Sequence, residues 1–234
     1  MATFSDDFTA ASDEDLGDHT PDTGTGWSWV GTGGSSAVMI EADDNAVQPT
    51  AVTTAEAGFH EIEPALSSAD QQAWGRRYAF EISGSEARGF PAVRMVDETQ
   101  WYGISHYGTG GAGTRVIAYN STASGLDTFQ GATGEWLRIK AEGSTITVWK
   151  AASGSEPTDP GADTNWTQVG VDHTGQTNFQ TETSCGLANN VGTGAAVSFL
   201  QNFRADIYPV AAGGGARPQG ALGHPFIGAF GGPI

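Results

Sequence analysis

Apolar and polar residues alternate along Trp136-Leu137-Arg138-Ile139-Lys140-Ala141, and again along Thr145-Ile146-Thr147-Val148-Trp149-Lys150. A period of two is that of a strand with one face buried, because successive side chains point to opposite sides of the backbone. The joint Glu142-Gly143-Ser144 is short and contains glycine, so the two runs predict an antiparallel hairpin. Trp136, Ile139, Ile146 and Val148 cannot all face water, which predicts a second apolar layer over the hairpin and hence two facing sheets.

The same signal predicts strands at residues 3–8, 27–30, 37–42, 59–63, 77–83, 92–96, 100–107, 114–120, 166–171 and 184–188, with a long closing strand over 197–208 ended by Pro209. Turns containing Gly or Asp separate them at the intervals of an all-β sandwich. Residues 9–26 and 151–164 are rich in Gly, Asp, Ser and Thr and predict loops, and residues 64–74 predict one helical turn. The expected fold class is therefore all-β, an antiparallel two-sheet jelly-roll sandwich over residues 1–208.

The composition changes at residue 209. Residues 209–234 are a Gly/Pro-rich linker followed by an extended arm carrying Leu222, Phe226, Ile227, Phe230 and Ile234. Apolar residues on a flexible arm predict a segment that docks on another subunit or protein.

Charge narrows the partners. With 27 acidic against 10 basic residues the formal net charge is −17, a surface that repels phosphate backbones and anionic lipid, so neither nucleic acid nor membrane is expected as a partner. No apolar run reaches membrane-spanning length. The N-terminal Met1-Ala2-Thr3-Phe4-Ser5-Asp6-Asp7 has neither a basic region nor an apolar stretch. It predicts no signal peptide and synthesis in a cytoplasm. The single cysteine, Cys185, lies in an apolar run and reads as a small core residue.

Three stretches in order resemble the concanavalin A-like lectin/glucanase superfamily in its laminin-G-like form. They are Phe4-Ser5-Asp6-Asp7-Phe8 with the acidic loop and Trp27-Ser28-Trp29-Val30, the Trp136–Lys150 hairpin, and Gly186-Leu187 with the closing strand carrying Asn202-Phe203-Arg204. The N-terminal Asp6-Asp7-Phe8, the stretch from His19 to Gly24, and Trp27 also resemble sandwich domains of tailed-phage virion proteins. That resemblance implies a non-enzymatic virion component, a head decoration, spike or tail accessory assembled in the host cytoplasm. It would join other virion proteins through the C-terminal arm, and a homo-oligomer is expected. The alternative it implies is a carbohydrate-binding module for adsorption to host-surface glycans; a degenerate glycoside hydrolase is the weaker alternative.

The catalytic reading fails on spacing. Glucanases of the superfamily carry two carboxylates on one strand face in a Glu-x-Asp-x-x-Glu string, and this sequence contains none. No catalytic residue is expected, and the chain is expected not to be an enzyme. Sugars stack on aromatic faces, and the candidates for that role are Trp101, Tyr102, Tyr107 and Trp166. Trp27, Trp29, Trp136 and Trp149 lie on alternating strands and read as core. A structural calcium would need acidic oxygens, for which Asp6, Asp7 and Asp206 are the candidates near the paired first and last strands.

Overall fold

The structure is a computed structural model; it describes residues 3–32, 38–49, 56–82, 87–97, 100–107, 114–120, 125–130, 132, 134–157, 163–191 and 196–208. Sixteen strands are described: β1 (Phe4–Asp6), β2 (Glu14–Asp15), β3 (Gly26–Thr32), β4 (Val38–Glu41), β5 (Ala46–Pro49), β6 (Glu56–Glu63), β7 (Gln71–Ile82) and β8 (Ala87–Asp97) come first. They are followed by β9 (Gln100–Tyr107), β10 (Thr114–Asn120), β11 (Gly125–Gln130), β12 (Trp136–Glu142), β13 (Thr145–Ala151), β14 (Thr167–His173), β15 (Cys185–Val191) and β16 (Ala196–Ile207).

The strands form two antiparallel sheets. The first runs β14-β13-β12-β7-β16-β5-β4-β2, with β1 also paired to β16; the second runs β11-β10-β9-β8-β15-β6-β3. Between them lies one apolar core that includes Phe4, Trp27, Ile62, Leu137, Ile139, Ile146, Val148, Leu187, Leu200 and Phe203. The predicted hairpin is present, with Ile139 opposite Val148 and Ala141 opposite Ile146; Glu142, expected in the joint, is the last residue of β12 and pairs with Thr145. No helix among the described residues is long and apolar enough to cross a membrane.

Three expectations are corrected. The helical turn expected over 64–74 is replaced by turns and the start of β7, whose Gln71 to Trp74 pair with both β12 and β16. Ladder hydrogen bonds on both sides outweigh the local turn signal of Pro64 and Ser67-Ser68. The loop expected over 9–26 contains β2 and a short 3₁₀ turn, Leu16–Asp18, which buries Leu16 in the core. Strands β5 and β11 were not predicted by the alternation.

Two glycines are required by close packing. A Cβ on Gly75 would lie 2.9 Å from Leu200 Cδ2, so the central pair β7–β16 closes over that leucine because residue 75 has no side chain. A Cβ on Gly186 would lie 1.9 Å from the carbonyl oxygen of His60, within the β6–β15 ladder. Cys185 beside it is fully buried, and burial pushes its thiol far up.

The N-terminal segments of the sandwich are tied together by one buried carboxylate. Asp6 Oδ1 accepts the backbone N–H of Phe8 at 2.7 Å and His19 Nε2–H at 3.1 Å, and Oδ2 accepts Trp27 Nε1–H at 2.7 Å. His19 Nδ1–H donates to Glu14 Oε1 at 2.6 Å. Phe4 and Phe203 pack edge-on against Trp27, with ring centroids at 4.9 and 5.2 Å. Burial alone would push the imidazolium of His19 down. The hydrogen bonds and charges of Asp6 and Glu14 outweigh it and raise the pKa to about 9.

Two predictions follow from this packing and this ionisation. Gly186→Ala costs more than about 3 kcal/mol, whereas Gly143→Asn, at a φ of 53° with open space around it, costs about 1 kcal/mol; denaturant midpoints measure both. His19 is protonated up to about pH 9 in the folded state and up to about 6.5 in the unfolded chain. Its contribution is therefore complete below pH 6.5 and is lost as the pH rises to 9. Unfolding free energy should fall by on the order of 2 kcal/mol across that window, and His19→Gln should flatten the slope. Below pH 8 the buried Cys185 thiol does not contribute to it, since its unfolded-state ionisation starts near about 8.5.

Candidate functional site

The site is built on the face of the first sheet turned away from the core. In β12 the residues Leu137, Ile139 and Ala141 point inward, so Trp136, Arg138 and Lys140 point outward, and all six are buried. Strand register extends this outer face. Arg138 stands between Trp149 of β13 and Trp74 of β7, and Lys140 stands between Thr147 and Gln72. Beyond them Arg204 and Asp206 of β16 lie opposite Trp74 and Gln72.

Burying Arg138 and Lys140 requires a counter-charge, and the connection after β13 supplies it. Asp163 Oδ1 accepts from Arg138 Nη2 at 2.5 Å, and both its oxygens accept from Lys140 Nζ at 3.2 Å. Burial pushes the Arg138 guanidinium below its usual value, and Asp163 opposes that shift. Aromatic faces complete the enclosure. Arg138 lies 4.4 Å from the Trp166 ring centroid and 5.2 Å from that of Trp149. Lys140 Nζ lies 4.7 Å from Trp149 and 3.9 Å from Tyr208.

At the solvent side of this cluster is a cavity of about 350 Å³. Trp149 and Tyr208 are its aromatic walls and Lys140 its cation. Glu142, Asp163 and Asp172 supply carboxylates, and Thr145, Thr147 and Gln168 supply neutral donors and acceptors. Trp149 Nε1–H donates to Thr147 Oγ1 at 2.9 Å, which fixes the indole against the sheet, and Gln168 Nε2–H donates to Asp172 Oδ1 at 2.7 Å.

Of the described side chains expected to meet sugar, only Trp166 belongs to this cluster, and it lies beneath Arg138 at 6% exposure. Trp101 is 1% exposed, packed over Gly103 and Ala92 on the outer side of the second sheet. Tyr102 is 0% exposed and faces the core, 5.6 Å from Phe179. Neither presents a face to a ligand, because each fills space beside a small residue or within the core. Tyr107 ends β9, and its side chain lies outside the described residues. So do Leu222, Phe226, Ile227, Phe230 and Ile234 of the arm.

The three carboxylates proposed for calcium are not brought together. Asp6 points inward with Phe4, and its oxygens receive the three donors described above. Asp206 points outward and accepts from Thr3 Oγ1 at 2.6 Å. Asp7 accepts from Asn202 Nδ2 at 2.8 Å and Arg204 Nη2 at 2.5 Å. Burial alone would raise its carboxyl, and these donors hold it below its usual value. Among the described residues no group of three or more His, Cys, Asp or Glu is placed to hold a metal ion.

The core reading holds for Trp27 and for Trp136, the latter buried in a second cluster on the outer side of β12, and is corrected for Trp149, which is only partly buried against that cluster. Trp136 is covered by the connection after β13, its Nε1–H donating to the Gly154 carbonyl at 3.1 Å. Trp149 is half-buried at the cavity. The sequence held the signal for it: Trp149 is in phase with Thr145 and Thr147 and out of phase with Ile146 and Val148.

No protein-family model and no curated protein sequence matches this chain. Solved structures share its fold. The GH43 protein BlXynB from Bacillus licheniformis aligns with a TM-score of 0.58 at 14% identity, over 87% of this chain and 39% of that one. A β-1,3-glucanase from Mycobacterium marinum aligns with a TM-score of 0.51 at 13% identity, over 88% and 98%. The exoplasmic/lumenal domain of VIP36, in a Ca2+/Man-bound form, aligns with a TM-score of 0.51 at 10% identity, over 82% and 87%. The chain is a two-sheet sandwich with the concanavalin-like lectin/glucanase fold, and it spans about two fifths of the GH43 protein's length.

Removing Asp163 leaves two buried cations without their shared carboxylate. Asp163→Ala should therefore lower unfolding free energy by about 3 kcal/mol, read from denaturant midpoints, with a change in tryptophan fluorescence as Trp149 and Trp166 lose their fixed neighbours.

Proposed function

We propose that the outer face of the first sheet binds carbohydrate at the Trp149–Tyr208 cavity and holds it without cleaving it. The observation that carries this reading is an aromatic face opening into a cavity ringed by side-chain donors and acceptors. Strand alternation alone would place only solvated polar residues there. A sugar presents C–H groups on one side of its ring and hydroxyls around its edge, so an indole face with Thr145, Thr147, Gln168 and Asp172 around it is complementary to one. The volume is at the small end for ligand pockets and suits a single ring.

Binding without hydrolysis is supported by the chemistry of the cavity. Asp163 accepts from Arg138 and Lys140, so in the free protein this carboxylate is already engaged in ion pairs. That lectins and glycoside hydrolases are among the structures sharing the fold supports carbohydrate as the ligand class. Host-surface adsorption, one of the roles implied by the phage resemblance, accords with such a cavity. The arm on which a purely structural virion role depends lies outside the described residues.

A glycan array followed by calorimetry on its hits tests the proposal. Trp149→Ala should weaken the hit at least tenfold, whereas Val171→Thr, at an exposed position outside the cavity, should leave it unchanged. Retention of full affinity by Trp149→Ala, or no hit with the wild-type protein, would sink it.

A further inference from the structure

The cavity is one end of a larger cationic and aromatic face. Arg76, Arg138, Lys140 and Arg204, four of the chain's 10 basic residues, share the outward side of β7, β12 and β16. Trp74, Trp136, Trp149 and Trp166 stand among them in one cluster. Two carboxylates from the connection after β13 sit on this face. Asp163 is the one shared by Arg138 and Lys140. Glu156 accepts Trp74 Nε1–H at 2.9 Å through Oε1 and pairs with Arg204 Nη2 at 3.4 Å through Oε2.

Exposure separates the two sides of these pairs. The carboxylate side chains are 36% and 33% exposed, while Arg138, Lys140 and Arg204 are 0%, 6% and 14% exposed. The cations are fixed in the sheet; the anions rest on them from the solvent side. An outside carboxylate could take either anion's place by turning a half-exposed side chain aside.

The geometry points to a uronic-acid glycan as the ligand of this face, its carboxylate pairing with Lys140 where Asp163 now does. This rests on the carbohydrate reading above and names the sugar class. A uronic acid carries its carboxylate directly on the ring carbon. Lys140 Nζ lies over the Trp149 indole, 4.7 Å from its centroid, so a ring sharing the uncovered part of that same indole face would have its carboxylate directed toward Lys140. Asp163 shows the contact such a group makes: one oxygen shared by Arg138 and Lys140, the other on Lys140. Glu156, between Trp74 and Arg204, marks a second position of the same kind further across the sheet.

The chain's net charge of −17 opposes a polyanion at long range, whereas the local pairs act at contact. Screening shortens the first to about 8–10 Å at physiological salt and affects the partly buried pairs much less. Short uronic oligomers should accordingly bind as tightly at 150 mM salt as at 20 mM, or more tightly, the reverse of ordinary polyanion binding.

Calorimetry on the full-length protein tests this, with tetramers of galacturonate, mannuronate and glucuronate, each as free acid and as methyl ester. At least one acid should bind ten times more tightly than its own ester. Lys140→Met, which keeps the apolar stem, should bring that acid's affinity down to the level of the ester. Because the acid–ester comparison is made on the wild-type protein, it stands even if the variant does not fold. Equal affinity of acid and ester, or binding confined to neutral glycans on the array, overturns the uronic-acid assignment and leaves the carbohydrate reading standing. Binding of no glycan of any kind overturns both.

Discussion

Six consecutive residues of β12, Trp136 to Ala141, are buried on both faces of the first sheet. A strand of an antiparallel sandwich ordinarily needs cover on one side only. Here the inner side is covered by the second sheet, and the outer side needs its own layer, which comes from the connection after β13. The residues on that side are tryptophan, arginine and lysine, so the cover must also be acidic: an ammonium or guanidinium taken out of water is tolerated only with a paired anion. Asp163 meets that demand for Arg138 and Lys140, and Glu156 does the same for Arg204 of β16. The placement of Trp149 and Tyr208 at the cavity follows from how these cations are held.

The N-terminal end is organised by the same rule with the signs exchanged. There the buried group is the Asp6 carboxylate, and the compensating donors come from a backbone amide, an indole and an imidazole. These donors lie on different segments, so a single ionised oxygen pair gathers the first strand, the acidic loop and β3. Arg204 extends the arrangement to the last strand through Asp7 and the Asp6 carbonyl. A carboxylate engaged in this way has little coordinating capacity left for a cation. That is why a spacing of acidic residues which reads as ligands becomes, in three dimensions, a hydrogen-bonded corner.

The sandwich itself was legible because period-two alternation reports which side of a strand is buried. It served well for the 136–150 hairpin and for the closing strand, where Leu200, Phe203 and Ala205 face the core. It served poorly where both faces are covered. Along β12 the outward tryptophan is as apolar as the inward leucine, and nothing local separates a residue beneath a loop from one beneath a sheet. Trp101 shows the converse: it stands on the outer side of its sheet and is still buried, through contacts with Gly103, Ala92 and Phe59 that only the register brings together. The start of β7 was hidden for a related reason. Its Gln71, Gln72 and Ala73 have no strand preference of their own and are extended because a neighbour on each side holds their amides. The candidate site, assembled from β12, β13, the connection between β13 and β14, β14 and Tyr208, is a product of pairing across distant segments.

Cys185 is the chain's single thiol, and it lies at the centre of the second sheet between β6 and β8, fully buried with its acidity suppressed. A thiolate forms there only when the two sheets part. Its reaction with an alkylating reagent is therefore gated by separation of the layers rather than by the intrinsic reactivity of sulfur. The protein carries, at a single atom and without any added label, a clock for the opening of its own interior.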